Sequence, residues 1–594
     1  MKQHSIAIVC DFFYPRLGGV EMHIWSLSQC LLRLGHRVCI ITNLYTSPSK
    51  GLDTPSQRVG VRVMAKGLRV YYMNLHIMAD QAILPTFTAG FPIFRKILLR
   101  EQVTIVHGHC ATSTFQHECV FQARTMGIRC CYTDHSLFSF HDFVGINVNK
   151  FLKLTLSDVE HCICPSHTCR ENLVLRAAVD PRKVSTIPNA VDADKFMPLQ
   201  SDSRIPRKLY TPILSSLSES EKSNNAFISE EKSISEDISA STPNLPTSTI
   251  QEVTIVVISR LVYRKGIDLL VDVIPLVCKA MPHVKFIVGG DGPKKLLLEE
   301  MRERNRLQDR VELLGPVPHS KVRDVLCRGQ IFLNCSLTES FCIAVLEAAC
   351  CGLHVVSTKV GGLPEVLPDR MIDFSNEVTA QGLVSALTQA VGRVSRGEID
   401  AWDYHTEIRE KSVYSWESVA LRTLIVYDRI ASEPLVSLAE RFRRLYSVGP
   451  VVGPIAMILA AMVFLYWAFL ELVDPSCEVD VVPFISHEHW NKIEENETEM
   501  SLQDLHSKAD PLDRKRNEQQ EKRDTITSTV DAAEQSAVGF RPQSASHTRR
   551  VISLGSGSGS GFSATNWSFD SGTICATPRE LFQENLSSAE EEKS

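Results

Sequence analysis

The chain has 594 residues, more than a single hydrophobic core organises, so at least two folded units are expected. Its formal net charge of -6 and isoelectric point near 6.4 exclude the strongly basic balance of a nucleic-acid-binding domain, and no nucleic-acid partner is expected. The 18 cysteines form no Cys-x-x-Cys pair and sit singly or as neighbours in apolar stretches, as in Cys130-Cys131 and Cys350-Cys351. That is the pattern of reduced core thiols, so neither a disulfide framework nor a metal site is expected.

Ser5 to Cys10 already reads as a buried strand, with no room ahead of it for a secretory signal, and all cysteines but Cys477 and Cys575 precede residue 450. The body of the protein is therefore expected in the cytosol. Short apolar runs then alternate with helical patterns: Val38 to Thr42, Val103 to His107, Cys130 to Thr133, His161 to Cys164 and Val184 to Ile187. This is the signature of a parallel sheet covered by helices on both faces. The first strand runs into Asp11-Phe-Phe-Tyr-Pro-Arg-Leu-Gly18-Gly19-Val20-Glu21, followed by Val20, Ile24, Leu27 and Leu31 at helical spacing. Two glycines at a strand-to-helix turn let backbone approach a ligand, and the helix N-terminus offers N–H groups to phosphate; a plain tight turn accounts for the same pair. The pattern is not G-x-G-x-x-G, which disfavours a nicotinamide cofactor. Phe94-Arg95-Lys96-Ile-Leu-Leu-Arg100 reads either as a basic face for anionic headgroups or as an ordinary surface helix.

Residues 201 to 250 are rich in Ser, Glu, Asn, Thr and Pro and are expected to be a disordered insertion at a hinge. Beyond them the strand and helix alternation restarts, with Thr254 to Ser259, Val284 to Gly289, Val311 to Leu314, Ile331 to Asn334 and His354 to Ser357. A second doubly wound domain is expected. Its first strand ends in Arg260-Leu-Val-Tyr-Arg264-Lys265-Gly266, placing Arg260 and Lys265 where open α/β sheets bind ligands; they suit a diphosphate clamp or solvated surface charge. In Leu337-Thr-Glu339-Ser-Phe341-Cys342-Ile-Ala-Val-Leu-Glu347 the carboxylates stand eight residues apart, about 12 Å along a helix axis. That is too far for one bond, since a retaining hydrolase pair sits roughly 5 to 5.5 Å apart, but it suits two ends of one extended ligand; one capping and one surface carboxylate is the bland reading. Trp416, Val419, Leu421, Leu424 and Tyr427 mark a helix that packs back on the first domain.

No residue from Ser447 to Leu470 is charged, and Pro450 to Leu470 is about 31 Å long as a helix, enough to cross hydrocarbon. Arg441, Arg443 and Arg444 precede it and Glu471 and Asp474 follow it, a bias that keeps the large domains cytosolic and the tail lumenal. The tail is polar, with a Gly-Ser repeat from Gly555 to Gly561 and glycosylation sequons at Asn496, Asn566 and Asn585, and is expected to be disordered.

The motif from Glu339 to Glu347 resembles the E-x7-E signature of retaining glycosyltransferases with two Rossmann-like domains, and Gly18-Gly19, Arg260 with Lys265, and Gly361-Gly-Leu-Pro-Glu365 fall in that family's order. Asp11-Phe-Phe-Tyr-Pro, Gly18-Gly-Val-Glu21, Thr133-Asp-His135-Ser-Leu-Phe138, Ile187-Pro-Asn-Ala-Val-Asp192, Ser259 to Leu270 and the Gly449-Pro-Val-Val-Gly453 start of the apolar helix narrow the likeness. They resemble the family of phosphatidylinositol N-acetylglucosaminyltransferase catalytic subunits of glycosylphosphatidylinositol anchor synthesis. The resemblance implies an α/β fold of two Rossmann-like domains facing a cleft (GT-B type) plus one C-terminal transmembrane helix. The expected layout is 1–195 acceptor domain, 196–252 hinge insertion, 253–411 nucleotide-sugar domain, 412–432 returning helix, 447–471 membrane helix and 472–594 tail. It further implies UDP-N-acetylglucosamine as donor, phosphatidylinositol as acceptor, retention without an obligatory metal or cofactor, further membrane subunits as partners, and location in the endoplasmic reticulum membrane. By the same resemblance Arg260 and Lys265 stabilise the leaving diphosphate with the Gly18-Gly19 backbone. Glu347 holds the ribose, Glu339 and the N–H groups near Phe341 and Cys342 hold the sugar, and His135 contacts the donor sugar. His107 and His109 are left as structural or unassigned. Another donor or lipid acceptor, or an inactive scaffold of such a complex, are the competing readings; a scaffold needs none of Glu339, Glu347, Arg260, Lys265 and His135.

Overall fold

Ser5–Val9 (β1) is buried along its whole length, as a strand inside a parallel sheet must be when helices cover both faces. In the computed structural model the described residues are 2–16, 18–46, 57–79, 82–138, 143–199, 209–210, 250–485 and 490. The chain divides into two units, one of residues 1–60 and 71–483, the other of 61–70 and 484–594; both parallel sheets and all the helices named below belong to the first. In the second unit Gly67, at φ +74°, faces the Trp490 indole with no room for a Cβ.

β1 pairs in parallel with Arg37–Asn43 (β2) and with Ile105–His109 (β3), which continues through Arg129–Thr133 (β4), His161–Cys164 (β5) and Val184–Thr186 (β6). The spatial order β6-β5-β4-β3-β1-β2 reverses between β1 and β3. Gly19–Arg33 (α1), Phe91–Arg100 (α2), Thr114–Thr125 (α3), Phe143–Leu156 (α4) and His167–Ala177 (α5) are its helices. Ser113 and Ser166 cap α3 and α5 through their hydroxyls, supplying acceptors to amides that the first helical turn leaves free.

The second sheet is made of Val253–Ile258 (β7), Val284–Gly289 (β8), Val311–Gly315 (β9), Ile331–Asn334 (β10), His354–Thr358 (β11) and Ile372–Ser375 (β12), in the order β9-β8-β7-β10-β11-β12, and Lys295–Arg304 (α7) and His319–Leu326 (α8) are two of its helices. Because side chains alternate along a strand, β7 feeds two cores. Ile255 and Val257 pack with Leu270, Ile274 and Leu387 of Ile267–Ala280 (α6) and Ala380–Ser395 (α10). Val256 packs with Phe332, Val345, Leu346 and Tyr404 of β10, Ile343–Cys350 (α9) and Ala401–Glu410 (α11). Each such apolar side chain contributes roughly 1.5–3 kcal/mol on full burial. Trp416–Ser432 (α12) returns to lie on α1, burying Val419, Leu424 and Tyr427, and the Tyr427 hydroxyl bonds His107 Nδ1 at 2.6 Å.

Two expectations change. Of the 201–250 stretch, Leu209 and Tyr210 form an antiparallel ladder with Gln251 and Ile250, while 201–208 and 211–249 lie outside the described residues. The Arg95 guanidinium is not offered to headgroups. It is 1% exposed, clasped by Glu471 at 2.7 Å and by Asp474 at 3.3 Å, and Lys96 lies 3.2 Å from Asp474. Those carboxylates stand at the end of the apolar helix Val452–Val473 (α14), which follows Leu438–Tyr446 (α13) and packs against α13, α3 and α4. Glycosylation sequons at Asn496, Asn566 and Asn585, and the Gly-Ser repeat, lie outside the described residues.

Candidate active site

In an open α/β sheet, neighbouring strands whose connections depart in opposite directions leave a crevice at their carboxyl ends. The first sheet has this reversal between β1 and β3, the second between β7 and β10. The loops that leave those strands carry most of the residues singled out above.

In the second domain Lys265 occupies a single helical turn after β7, and Gly266 ends it at φ +69°. A Cβ on Gly266 would stand 1.8 Å from the Cys335 carbonyl oxygen, so only glycine lets this turn press against the end of β10. The Lys265 ammonium reaches across to Glu339 Oε1, which also accepts the Ser336 hydroxyl at 2.7 Å. Burial pulls the Lys265 ammonium down, but the Glu339 charge and hydrogen bond outweigh it and leave the lysine above its ordinary value. Arg260, expected beside Lys265 as the other jaw of a clamp, is exposed and acts electrostatically on Glu21 of the first domain. Burial raises the Glu21 carboxyl, and Arg16 and Arg260 draw it part of the way back.

Glu347 lies inside α9, with Oε1 3.4 Å from His319 Nε2, and His319 Nδ1 is 3.0 Å from the Lys195 ammonium. Because the ammonium can only donate, Nδ1 accepts and Nε2 carries the proton directed at Glu347. Cys342 initiates α9 in the left-handed region at φ +73°, and burial pushes its thiol up to about 12, so it is a neutral thiol. The Phe341 ring is buried in the core with Val345 and Leu363, leaving only its backbone for a ligand.

In the first domain the Gly18-Gly19 turn starts α1, and a Cβ on Gly18 would meet Glu21 Oε2 at 2.6 Å. Asp134 and Arg176, both 0% exposed, pair at 2.7 Å, and Asp134 also accepts the Ser136 amide at 3.3 Å. This fixes the turn that presents His135. His135 Nε2 is 3.0 Å from His109 Nδ1, and its ring meets that of His23 edge-on at 4.8 Å. His23 Nδ1 is 2.9 Å from Asn189 Oδ1, and Trp416 closes over the same ring. Burial holds His23 down to about 4 and His107 to about 3, and holds His109 and His135 well below the ordinary imidazole range. All four are neutral at pH 7. The nitrogens of His23, His109 and His135 lie within 4.8 Å of one another, so these are the described residues able to hold a metal; a tetrahedral ion needs them drawn in to about 3.3 Å.

The two domains meet directly across this cleft. Ser340 donates to the His135 carbonyl at 2.6 Å, Ser166 donates to the Ser340 carbonyl at 2.7 Å, and Arg264 stacks over Phe138. Glu365 of the second domain accepts the His167 amide at 2.6 Å and the Thr168 amide at 2.8 Å, capping a first-domain helix from the other domain. Gly361 at φ +53° packs on Glu339 and Leu137. Thus Glu339, Lys265 and, through Ser340, the backbone of His135 are brought together, whereas Glu347 sits farther along α9 with His319. The sequence reading missed Glu21, Glu365, His319 and the His23–His109 support of His135. Glu21 and Glu365 stood inside the quoted motifs; His319 and His23 carried no local signal.

Residues 252–396 match the family "Glycosyl transferases group 1". Sucrose-phosphate synthase from Thermosynechococcus elongatus superposes with a TM-score of 0.52 at 17% identity over 72% of this chain and 99% of its own. Anabaena Alr3699/HepE, solved with UDP and glucose, superposes at 0.50 and 15%, over 72% of this chain and all of that one. These define the class: a glycosyltransferase of the two-Rossmann GT-B fold. Residues 54–142 match the family "PIGA (GPI anchor biosynthesis)". A phosphatidylinositol N-acetylglucosaminyltransferase subunit of Arabidopsis thaliana is 45% identical over 83% of this chain and 97% of its own length, and its Homo sapiens counterpart 43% over 81% and 87%. The chain belongs to the PIGA family of phosphatidylinositol N-acetylglucosaminyltransferase subunits.

Proposed function

We propose that this chain transfers N-acetylglucosamine from UDP-N-acetylglucosamine to phosphatidylinositol with retention, the first step of glycosylphosphatidylinositol anchor synthesis, at the cytosolic face of the endoplasmic reticulum and as one member of a membrane complex. The observation that carries the reading is the 45% identity, across nearly the whole of the relative, to a transferase named for this donor sugar and lipid. The cleft supports it, because a cation, a carboxylate and neutral imidazoles converge there.

In this reading the acceptor oxygen forms its bond to the anomeric carbon on the face from which the diphosphate departs. The bond from that carbon to the β-phosphate oxygen breaks, and the acceptor proton passes to that phosphate oxygen. Lys265 and Arg260 stabilise the developing diphosphate charge together with the Gly18-Gly19 amides, the kind of electrostatic contribution that dominates such catalysis. The pairing with Glu339 keeps the Lys265 ammonium charged and in place until the donor arrives. Glu339 and the amides near Phe341 and Cys342 take the sugar hydroxyls, Glu347 takes the ribose, and neutral His135 contacts the sugar without placing a second positive charge beside the anomeric centre. This reading requires no metal or cofactor.

The test is transfer of labelled N-acetylglucosamine from UDP-N-acetylglucosamine to phosphatidylinositol in membranes of cells lacking their own copy of this protein, with the intact chain, Glu347→Ala and Lys265→Ala at equal expression. Labelled lipid from the intact chain and little from either variant is expected. No product from the intact chain with its partners assembled would return the scaffold or different-donor readings.

A further inference from the structure

A glutamate that is to meet a pair of ribose hydroxyls must be aimed, because its rotatable side chain loses contact with small errors of direction. Glu347 is partly buried in the middle of α9, and among the described residues His319 is the group bonded to its carboxylate, Oε1 to Nε2 at 3.4 Å. That leaves Oε2 for a ligand. His319 is itself fixed in three ways. It opens α8 after Pro318, and Val322 and Leu326 of that helix are buried in the same core as Val345 and Leu346 of α9. Its ring meets the buried Phe196 ring edge-on at 5.9 Å. Its other nitrogen, Nδ1, is 3.0 Å from the Lys195 ammonium. Lys195 is in turn carried there by backbone. The segment beyond β6 leaves the first sheet and is bonded to the second domain: the Val191 amide donates to the Tyr414 carbonyl at 3.0 Å, Arg323 donates to the Met197 carbonyl at 2.9 Å, and Asp194 pairs with Arg409 at 3.1 Å. Within it the Lys195 and Phe196 amides donate to the Asp192 carbonyl at 3.2 and 2.9 Å, a single turn that presents both side chains to His319.

An ammonium donates and cannot accept, and a carboxylate accepts and cannot donate. With Lys195 at Nδ1, the His319 imidazole keeps its proton on Nε2, where it faces Glu347. Without the lysine either nitrogen can hold the proton, and one of the two forms turns a bare lone pair on the carboxylate. We propose that His319 is a positioning residue for the donor nucleotide: it aims the Glu347 carboxylate at the ribose hydroxyls, and Lys195 selects the tautomer in which it does so. The proposal rests on the reading that Glu347 holds the ribose of a UDP-sugar, and it adds the two residues on which that grip depends. Neither touches the reacting atoms. Their loss weakens binding alike before and in the transition state, which raises KM and spares kcat. A donor without the two ribose hydroxyls lacks the same interaction from the other side, so it is blind to both residues.

The experiment uses the full chain assembled with its partners in membranes of cells lacking their own copy, and compares UDP-N-acetylglucosamine with its 2′,3′-dideoxyribose analogue as donor. The KM for UDP-N-acetylglucosamine is expected to rise about tenfold in His319→Ala, the effect of losing one hydrogen bond to a charged group, with kcat unchanged. The KM for the dideoxy donor is expected to stay where it was. His319→Gln, whose amide nitrogen takes the place of Nε2, is expected to restore the lower KM, and His319→Asn, whose amide takes the place of Nδ1, is not. Lys195→Met is expected to raise KM less, about threefold, and to add nothing to His319→Ala, because the lysine acts only through the imidazole. An equal rise for both donors, equal behaviour of the Gln and Asn variants, or loss of assembled complex in all three His319 variants would make His319 a packing residue and overturn the proposal. If the intact chain transfers from neither donor, the proposed function falls first, and equilibrium dialysis of UDP and 2′,3′-dideoxy-UDP against the same complexes decides the inference. UDP binding weakened in His319→Ala with the dideoxy nucleotide unaffected upholds it; equal effects on the two, or no UDP bound by the intact chain, overturn it.

Discussion

Lys265 and Glu339 make the most consequential contact in the cleft, because Glu339 holds the Lys265 ammonium above its ordinary value and Lys265 fixes where the Glu339 carboxylate points. Lys265→Ala leaves Glu339 without its cation and removes the charge proposed to meet the diphosphate. Turnover at saturating donor is expected to fall about 10²- to 10³-fold, measured as labelled lipid per assembled complex. The same scale fixes a pH dependence. His23 has a folded-state value of about 4 against an unfolded value near 6.5, so unfolding takes up a proton. The stability it lends is complete above pH 6.5 and is lost as pH falls from there toward 4, up to about 3 kcal/mol for this one group. The thermal midpoint of the purified complex should drop through that window, and the drop should be shallower in His23→Gln. A midpoint flat from pH 7 to 5 would contradict the buried neutral imidazole. Glu339, Glu347, Arg260 and Lys265 could be singled out in the sequence because their motifs are local, and the sheet order puts them at or next to the loops that leave β7 and β10. The support around His135 could not, since His23, His109 and Asn189 come from three distant segments and meet only through the sheet order.

At the level of elements, the turns at the switch points are fixed by backbone and the domain interface by caps. Gly266→Ala would push a Cβ into the Cys335 carbonyl at a positive φ, so loss of folded second domain is expected, read as protease sensitivity of residues 253–411 with the first domain spared. Glu365→Ala removes the cap that α5 receives from the opposite domain. A lost cap costs about 1 kcal/mol, and here it also loosens domain closure, so the expected outcome is a raised KM for the donor with a thermal midpoint only slightly lower. An unchanged KM would mean that the contact plays no part in closure. Strands and helices were readable from their periodicity, and the two-sided burial of β7 follows from its Ile255-Val256-Val257-Ile258 run. The cap that the second domain lends to α5 was not, because Glu365 looks like any carboxylate after a Gly-Gly turn until α5 is placed opposite it. The apolar helix shows the same limit: its length and charge bias describe a span, while Arg95, which grips Glu471 in its last turn, lies 376 residues away in sequence.

Across the whole molecule, the two sheets are joined by a segment whose length far exceeds what the fold uses. Tyr210 pairs with Ile250, and Leu209 with Gln251, in an antiparallel ladder, so the chain returns to the point it left before β7 begins. Two paired strands of this kind are closed by a two-residue turn, for which Asn-Gly is the favoured sequence. Replacing residues 211–249 with Asn-Gly therefore preserves the path from the first domain into the second, and loop-closure entropy changes by only about 2–3 kcal/mol in favour of the shorter link. The shortened chain is expected to assemble and to transfer N-acetylglucosamine at close to the rate of the full chain, because Asn189, Lys195 and every cleft residue lie outside the deleted stretch. If assembly holds but transfer falls tenfold or more, the stretch acts on domain closure or on a partner; if assembly itself fails, it belongs to the complex and not to the fold.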